Sequence, residues 1–434
     1  MSEPEILLAV HEGTVAARIE RRGERLTLRY EPTWRERGPF PLSLSLPLAA
    51  ATHEGAAVHA YLANLLPDNA QVLESWGKRF HVAARSPFRL LTHVGQDCAG
   101  AFAFLPPDAL DAHREQPGDV HWIDEAEVAD RLKALRTDIG RWRRDDDEGQ
   151  FSLAGAQAKI ALFGRNGRWG VPSGRTPTTH ILKPPIPGFE GHVENEHFCL
   201  ELAHALGLRT ARSEVRRFGD EVAIVVERFD RADSSKLPEA ATTTRGAVLR
   251  LHQEDLCQAL GVPPERKYQN DGGPSVAQIT ELLRARSSDA ASDVERFRDA
   301  LLFHWLIAGT DAHAKNYSLL HAAEGRLRLA PLYDVASALP YPDLDAQRLK
   351  LAMKMGNTYR LRDIGRAALT RMASEMKLDP GATLARAQEL ADSLPTAART
   401  LREQLVASGV DTPLLRAMEN ELSARAARCA KLIA

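Results

Sequence analysis

Cysteine is scarce in this chain. The four, Cys98, Cys199, Cys257 and Cys429, are scattered over 434 residues with no Cys-x-x-Cys pair. That spacing argues against a zinc site and a disulfide framework, and it suits a reducing compartment. Charge of one sign is lacking too. Lysine and arginine number 56 against 58 aspartate and glutamate, so no global basic field predicts nucleic-acid binding and only a local patch could serve it. Long apolar runs are missing, none approaching the roughly 20 residues of a membrane span. The acidic start Met1-Ser2-Glu3-Pro4-Glu5 leads straight into a strand-like run. No signal peptide and no membrane contact are therefore expected, and the expected location is cytoplasmic. No internal repeat or low-complexity tract occurs. What is present, 44% hydrophobic and 26% charged residues, is an ordinary globular composition in a chain too long for one core. Two or three regions are expected.

Residues 1–30 read as a β-meander, with strand-like runs at Ile6 to Val10, Val15 to Ile19 and Arg25 to Tyr30 broken at Gly13 and Gly23. Leu42-Ser43-Leu44-Ser45-Leu46 alternates as a strand would. Helical patterns follow near 56–66 and 68–80, the second opened by Asp68, and Gly100 to Leu105 reads as a closing strand. This gives a small α+β region over 1–110 and a linker over 111–150. Within the linker, Arg141-Trp142-Arg143-Arg144 faces Asp145-Asp146-Asp147-Glu148, two charge runs that read as a solvated loop.

From 151 a second strand-rich set begins. Asn166-Gly167 marks a hairpin turn. Thr179 to Lys183 forms a strand stopped by Pro184-Pro185, a helix runs from about Val193 to Leu206 with Gly207 after it, and two strands meet at Gly219-Asp220. From about 250 the pattern is helical apart from loops at 262–275 and 311–345, with breaks at Asp379-Pro380-Gly381 and Asp411-Thr412-Pro413. The order places an N-lobe-like part over 151–232 and a helical lobe over 233–434.

The chemistry concentrates behind one buried helical pattern, where Leu301, Leu302, Trp305 and Leu306 share a face. Gly309-Thr310 ends the pattern. Asp311, His313, Lys315 and Asn316 then fall within six positions. Asp311 and Asn316 stand five apart, as the catalytic Asp and metal-binding Asn do in a kinase catalytic loop. Eighteen residues after Asn316, Leu332-Tyr333-Asp334 sets an Asp where a kinase carries its magnesium-binding Asp. Phosphoryl transfer needs phosphates held by backbone amides and a Lys, magnesium held by oxygen ligands, and a carboxylate near the attacking hydroxyl.

Each part has a candidate and a plainer reading. Small residues Ala154, Gly155 and Ala156, followed by Gln157 and Lys159, let backbone approach a phosphate, or form a simple strand entry. Lys183 binds phosphate or is a solvated strand end. Glu194 or Glu196, with Glu196 favoured, pairs with Lys183 or serves the helix dipole. Glu227-Arg228-Phe229-Asp230 leaves an apolar strand where backbone could meet an adenine edge, and His252-Gln253-Glu254-Asp255 reads as a first helical turn. His304, Asp311 and His313 also admit a metal-hydrolase reading, but a second His/Asp cluster is missing.

Ser152-Leu-Ala-Gly-Ala-Gln-Ala-Lys159, His180-Ile-Leu-Lys-Pro184, Val193-Glu-Asn-Glu196, Val226-Glu-Arg-Phe-Asp-Arg231, His252-Gln-Glu-Asp255, Thr310-Asp-Ala-His-Ala-Lys-Asn316 and Pro331-Leu-Tyr-Asp-Val-Ala-Ser337 resemble, in order, the motifs of the HipA family. These are serine/threonine-kinase toxins of bacterial toxin–antitoxin pairs, and the resemblance covers essentially the whole chain. It implies an α+β, bilobal protein-kinase-like fold related to phosphatidylinositol kinases, with an extra N-terminal α+β subdomain and a mostly helical C-terminal lobe. It implies ATP and Mg²⁺ as cofactors, with Asp311 catalytic and Asn316 and Asp334 as metal ligands. Ala154, Gly155, Ala156, Gln157, Lys159, Lys183, Glu227, Phe229, Asp230, His313, Lys315, Asn316 and Asp334 are implied as nucleotide contacts, and Ser152 as the autophosphorylated serine. The implied partners are a helix-turn-helix antitoxin (HipB-like), operator DNA mainly through that antitoxin, and a protein substrate such as an aminoacyl-tRNA synthetase. A co-repressor scaffold with little kinase activity and a small-molecule kinase are the competing readings.

Overall fold

The computed structural model describes residues 4–137, 151–236, 248–345 and 347–434. The two charge runs at 141–148 lie outside them. The chain forms two compact units, one of residues 1–184, 217–265 and 319–326, the other of 185–216, 266–318 and 327–434.

In the first unit, the opening meander forms as its alternation predicts. Strands Glu5–His11, Thr14–Arg22 and Arg25–Tyr30 pair antiparallel, with Thr52–Glu54 added at one edge and Ala103–Leu105 at the other. Helices Ala56–Asn64, Ala70–Phe80 and Pro87–Val94 supply Val58, Leu62, Val72, Leu90 and Leu91 to the core with Leu7, Ile19 and Leu28 of the sheet. The second helix is capped by the Asn69 side chain, which accepts from the amides of Gln71 and Val72; Asp68, the expected opener, lies one residue outside.

Leu42 to Leu46 is no strand. It is a tight turn closed by a Ser43–Leu46 bridge, because the buried Tyr30 hydroxyl accepts from the Leu42 amide at 2.8 Å and donates to the Leu46 carbonyl at 2.6 Å. With its polar groups satisfied by a side chain, the segment needs no strand partner.

A second sheet of this unit places antiparallel strands Glu221–Glu227, His180–Lys183, Ile160–Arg165, Arg168–Ser173 and Asp119–Ile123 side by side. The Asn166-Gly167 turn joins two of them with both residues at positive φ, as a primed hairpin requires. The edge strand Asp119–Ile123 and the helix Glu125–Thr137 lie within the stretch expected as a linker. Val128, Leu132 and Leu135 anchor that helix in the core, so the stretch is a structural part of the unit rather than a bare connector.

The second unit is mostly helical. Helices His192–Ala205, Val276–Arg286, Ala290–Ile307, Arg366–Glu375, Pro380–Ala407 and Pro413–Ile433 form it. Asp379 and Thr412 cap the last two, each with proline at the first helical position. The C-terminal half is less uniformly helical than its periodicity suggests, since Lys350–Met355 and Thr358–Arg360 pair as a ribbon. The two units do not follow the order of the chain. The helix His192–Ala205 groups with the helical unit, and residues 217–265 group with the sheets.

Candidate active site

The loop after helix Ala290–Ile307 starts from an unusual stop. Ala308 takes the left-handed conformation at φ 53°, and Gly309 donates back to the His304 carbonyl at 2.8 Å. Gly309 itself is required for room, since a Cβ there would collide with His304 Nδ1. The His304 ring is buried in the core, and burial pushes its pKa down to about 4. The metal-hydrolase reading would need it grouped with Asp311 and His313. Among the described residues no group of three or more His, Cys, Asp or Glu is arranged to hold a metal.

Asp311 is exposed, while His313, Lys315 and Asn316 are buried behind it. The Asn316 side-chain amide donates to the Asp311 carbonyl at 2.8 Å, and the His313 amide donates to the same oxygen at 2.8 Å. With its N–H₂ donating to that carbonyl, the Asn316 side chain keeps its amide oxygen as an acceptor. The Tyr268 hydroxyl donates to the Asp311 carboxylate.

The Asp334 segment is tied to the same loop within this unit. The Tyr333 hydroxyl lies 2.6 Å from both the Lys315 carbonyl and Ser318 Oγ. Asn195 is fully buried and brackets Ser337, accepting from its amide at 2.9 Å and donating to its carbonyl at 2.8 Å. Asp334 is half-buried and sits at φ 59°. That costs about 1–2 kcal/mol for a residue with a Cβ, and Asp is among the few that tolerate it. Asn316 and Asp334 offer neutral and charged oxygen donors on backbone fixed by hydrogen bonds. Such a set suits Mg²⁺, which takes few protein ligands and keeps waters and phosphates.

In the first unit, the Ser152 loop is pinned from both sides. Ser152 is fully buried, its hydroxyl donating to the Leu65 carbonyl at 2.8 Å and its amide to the Asp97 carbonyl at 3.1 Å. The Asp68 amide donates to the Gly155 carbonyl at 3.1 Å. Gly155 has φ +106°, and a Cβ on it would meet the Lys159 ammonium, which folds under the loop to donate to the Ala154 carbonyl at 2.5 Å. The glycine therefore makes room for the Lys159 ammonium against the loop backbone, which puts a cation at a candidate phosphate cradle. Gln157 donates to the Pro184 carbonyl at 3.3 Å, joining the loop to the strand that ends in buried Lys183. Ala156 is exposed. Glu196 is buried at the start of helix His192–Ala205 in the other unit, whereas Glu194 is half-buried.

Beyond the apolar strand, Glu227 is exposed and Phe229 half-buried, but the Arg228 amide is already committed to the Thr179 carbonyl at 2.9 Å. Asp230 does not face a ligand. It is 3% exposed, accepts from the Gly100 amide at 2.8 Å and from Arg228 at 2.8 and 3.0 Å, and pairs with Arg231. Asp97 completes this network with Arg228, Arg231, Arg250 and Thr178. Burial would raise the Asp97 pKa, but the three guanidiniums hold it well below the usual carboxylate range. Asp230 is thus an internal anchor, a correction to its expected nucleotide role. The His252–Asp255 motif is likewise structural. It is a strand whose Glu254 accepts from Ser43 Oγ at 2.5 Å and the Leu44 amide at 3.0 Å and bonds His321 at 2.8 Å, while Asp255 caps the short helix after it.

Sequence reasoning missed Tyr268, Asn195 and Tyr333. Asn195 lay inside a quoted motif, between the two glutamates that drew attention. Tyr333 lay beside Asp334. Tyr268 carried one signal, a tyrosine just ahead of Asp271-Gly272-Gly273 in a polar loop.

Comparison with known proteins places these elements in a family. The model of the HipA-like C-terminal domain matches residues 151–398, and that of the HipA N-terminal domain matches residues 7–105. The chain is 32% identical over 345 residues to the serine/threonine-protein kinase toxin HipA of Shewanella oneidensis, covering 76% of this chain and 73% of that protein. It is 36% identical over 404 residues to the kinase-named protein Y4mE of Sinorhizobium fredii, covering 92% of this chain and 91% of that one. Among solved structures, a chain of the Shewanella oneidensis complex of HipA, HipB and operator DNA superposes with a TM-score of 0.81 at 26% identity, covering 98% of each chain.

Proposed function

The chain belongs to the HipA family, and from that premise we propose that it is an ATP- and Mg²⁺-dependent serine/threonine-protein kinase acting as the toxin of a toxin–antitoxin pair. The observation that carries the proposal is the Asp311 loop, in which an exposed carboxylate and the Asn316 amide are fixed to each other through the Asp311 carbonyl. Catalysis of this kind depends on positioning more than on covalent chemistry. The acceptor hydroxyl oxygen bonds to the γ-phosphorus while the bond to the ADP oxygen breaks, and the hydroxyl proton passes to the Asp311 carboxylate. Asn316 and Asp334 would hold Mg²⁺, which when bound would supply positive charge to screen the phosphate oxygens. Lys183, Lys159 and the backbone of 154–157 receive phosphates, His313 and Lys315 line the loop, and Glu227 and Phe229 take the adenine edge.

Ser152 is the assigned autophosphorylation site. A phosphate on that serine cannot keep the bond to Leu65, because a dianion has no donor to give the carbonyl. The substrate class is a translation-related protein such as an aminoacyl-tRNA synthetase. The partner is a helix-turn-helix antitoxin that carries most of the contact with operator DNA, supported by the assembly of the Shewanella relative with HipB and operator DNA and by the near-neutral charge of this chain.

The test is incubation of purified protein with labelled ATP and Mg²⁺. Label is expected on Ser152, and Asp311→Asn is expected to remove it; label surviving that change would refute the assignment of Asp311. The same relative supports a second reading, a co-repressor scaffold. Growth arrest that persists in Asp334→Asn would favour it.

A further inference from the structure

Tyr268 lies 43 residues before Asp311 in sequence, yet its hydroxyl donates to that carboxylate. Its ring stands edge-on to His313, with centroids 4.9 Å apart and planes at 86°. One residue earlier, the Lys267 carbonyl accepts from the Ala314 amide at 3.2 Å. One residue later, Gln269 Oε1 accepts from the Lys354 amide at 2.8 Å, fastening the segment to the ribbon strand Lys350–Met355. The Tyr268 carbonyl itself accepts from the amides of Asp271 and Gly273 at 3.0 and 2.9 Å. Gly273 permits that turn, since a Cβ there would strike the carbonyls of Arg266 and Tyr268.

We propose that Tyr268 is a positioning residue for phosphoryl transfer, holding one oxygen of the Asp311 carboxylate so that the other meets the acceptor hydroxyl. The inference rests on the kinase reading above. An exposed aspartate has several rotamers, and a base that must lie within hydrogen-bond reach of a hydroxyl gains from being fixed in one. Tyr268 can fix it because it is fixed itself, by backbone bonds on both sides and by packing against His313. A residue anchored this way is not a gate that swings clear of the acceptor. Asp311 is thus held from two directions, at its carbonyl by Asn316 and His313 and at its carboxylate by Tyr268.

Tyr268→Phe keeps the ring and its packing and removes only the hydroxyl. For wild type, Tyr268→Phe and Asp311→Asn, the rate of phosphate transfer to a protein acceptor and the KM for ATP are measured. Expected for Tyr268→Phe is a fall in kcat of about tenfold with an unchanged KM for ATP. An unchanged kcat overturns the proposal, and a raised kcat overturns it in favour of a blocking contact.

A double-mutant cycle of Tyr268→Phe and Asp311→Ala in urea denaturation needs no activity. Non-additive midpoint shifts are expected, and additive shifts overturn the contact. If wild type transfers no phosphate while the cycle remains non-additive, the kinase reading falls and the contact stands.

Discussion

At the scale of single residues, Gly309 shows how a motif can be right for a reason the sequence hides. Its place after an apolar helix reads as a helix stop, but Ala308 makes the left-handed turn and Gly309 makes room for the His304 ring. Gly309→Ala is therefore expected to destabilise the protein by about 1–3 kcal/mol through overpacking. Urea denaturation measures it, and a loss under half a kilocalorie would mean the ring yields freely. Asp311, Asn316 and Asp334 stood out as candidates because their spacing along the chain is the motif. Tyr268 and Asn195 were not, because their roles come from partners 43 and 142 residues away. Asp230 was misread for the complementary reason. Its neighbours in sequence suggested a ligand, and its neighbours in space are arginines.

Among the elements, helix ends were read well and short strands poorly. Proline and polar caps announce themselves, as at Asp379 and Thr412. The Leu42–Leu46 alternation was misleading because Tyr30 and Glu254, outside the segment, satisfy its backbone. The C-terminal helix Pro413–Ile433 lies beyond the matched family model, yet Arg425 on it donates twice to the Trp305 carbonyl, at 2.6 and 3.1 Å, in the last turn of the helix that leads to Asp311. A cation there also complements the helix dipole. Arg425→Met, which keeps much of the apolar stem, is expected to speed amide exchange at Ala308 and Gly309 by about tenfold, the equivalent of ~1.4 kcal/mol. Hydrogen-exchange mass spectrometry reads this without any assay of activity. Protection unchanged from wild type would show that the helix end is held by packing alone.

Across the whole molecule, residues 7–105, which match the HipA N-terminal domain, lie in one compact unit with the second sheet. Beside a hydrophobic core shared by both sheets, a buried charge network that periodicity cannot reveal ties the segments together. Asp97 binds Thr178, Arg231 and Arg250 side chains, and Asp230 binds Gly100, so segments far apart in sequence share one set of ions. Removing one partner leaves the others uncompensated. Asp97→Asn should cost about 3–5 kcal/mol, measured by urea denaturation. The pH dependence follows from the depressed pKa of both carboxylates. An unfolded aspartate takes up its proton near pH 3.8, and the folded ones resist it, so the unfolded state binds more protons as pH falls. The stabilisation is complete above that pH and is lost progressively below it. Wild type should therefore lose stability steeply below pH 4, and Asp97→Asn less steeply; parallel curves would remove Asp97 from the account.

The backbone at Asp334 narrows what evolution or a designer can place there. Glutamate keeps the carboxylate but adopts a left-handed φ less readily than aspartate does. Asparagine and glycine suit the backbone but bring no charge. Aspartate alone joins the carboxylate to the easier left-handed backbone, so exchange of one acid for the other carries a conformational cost here.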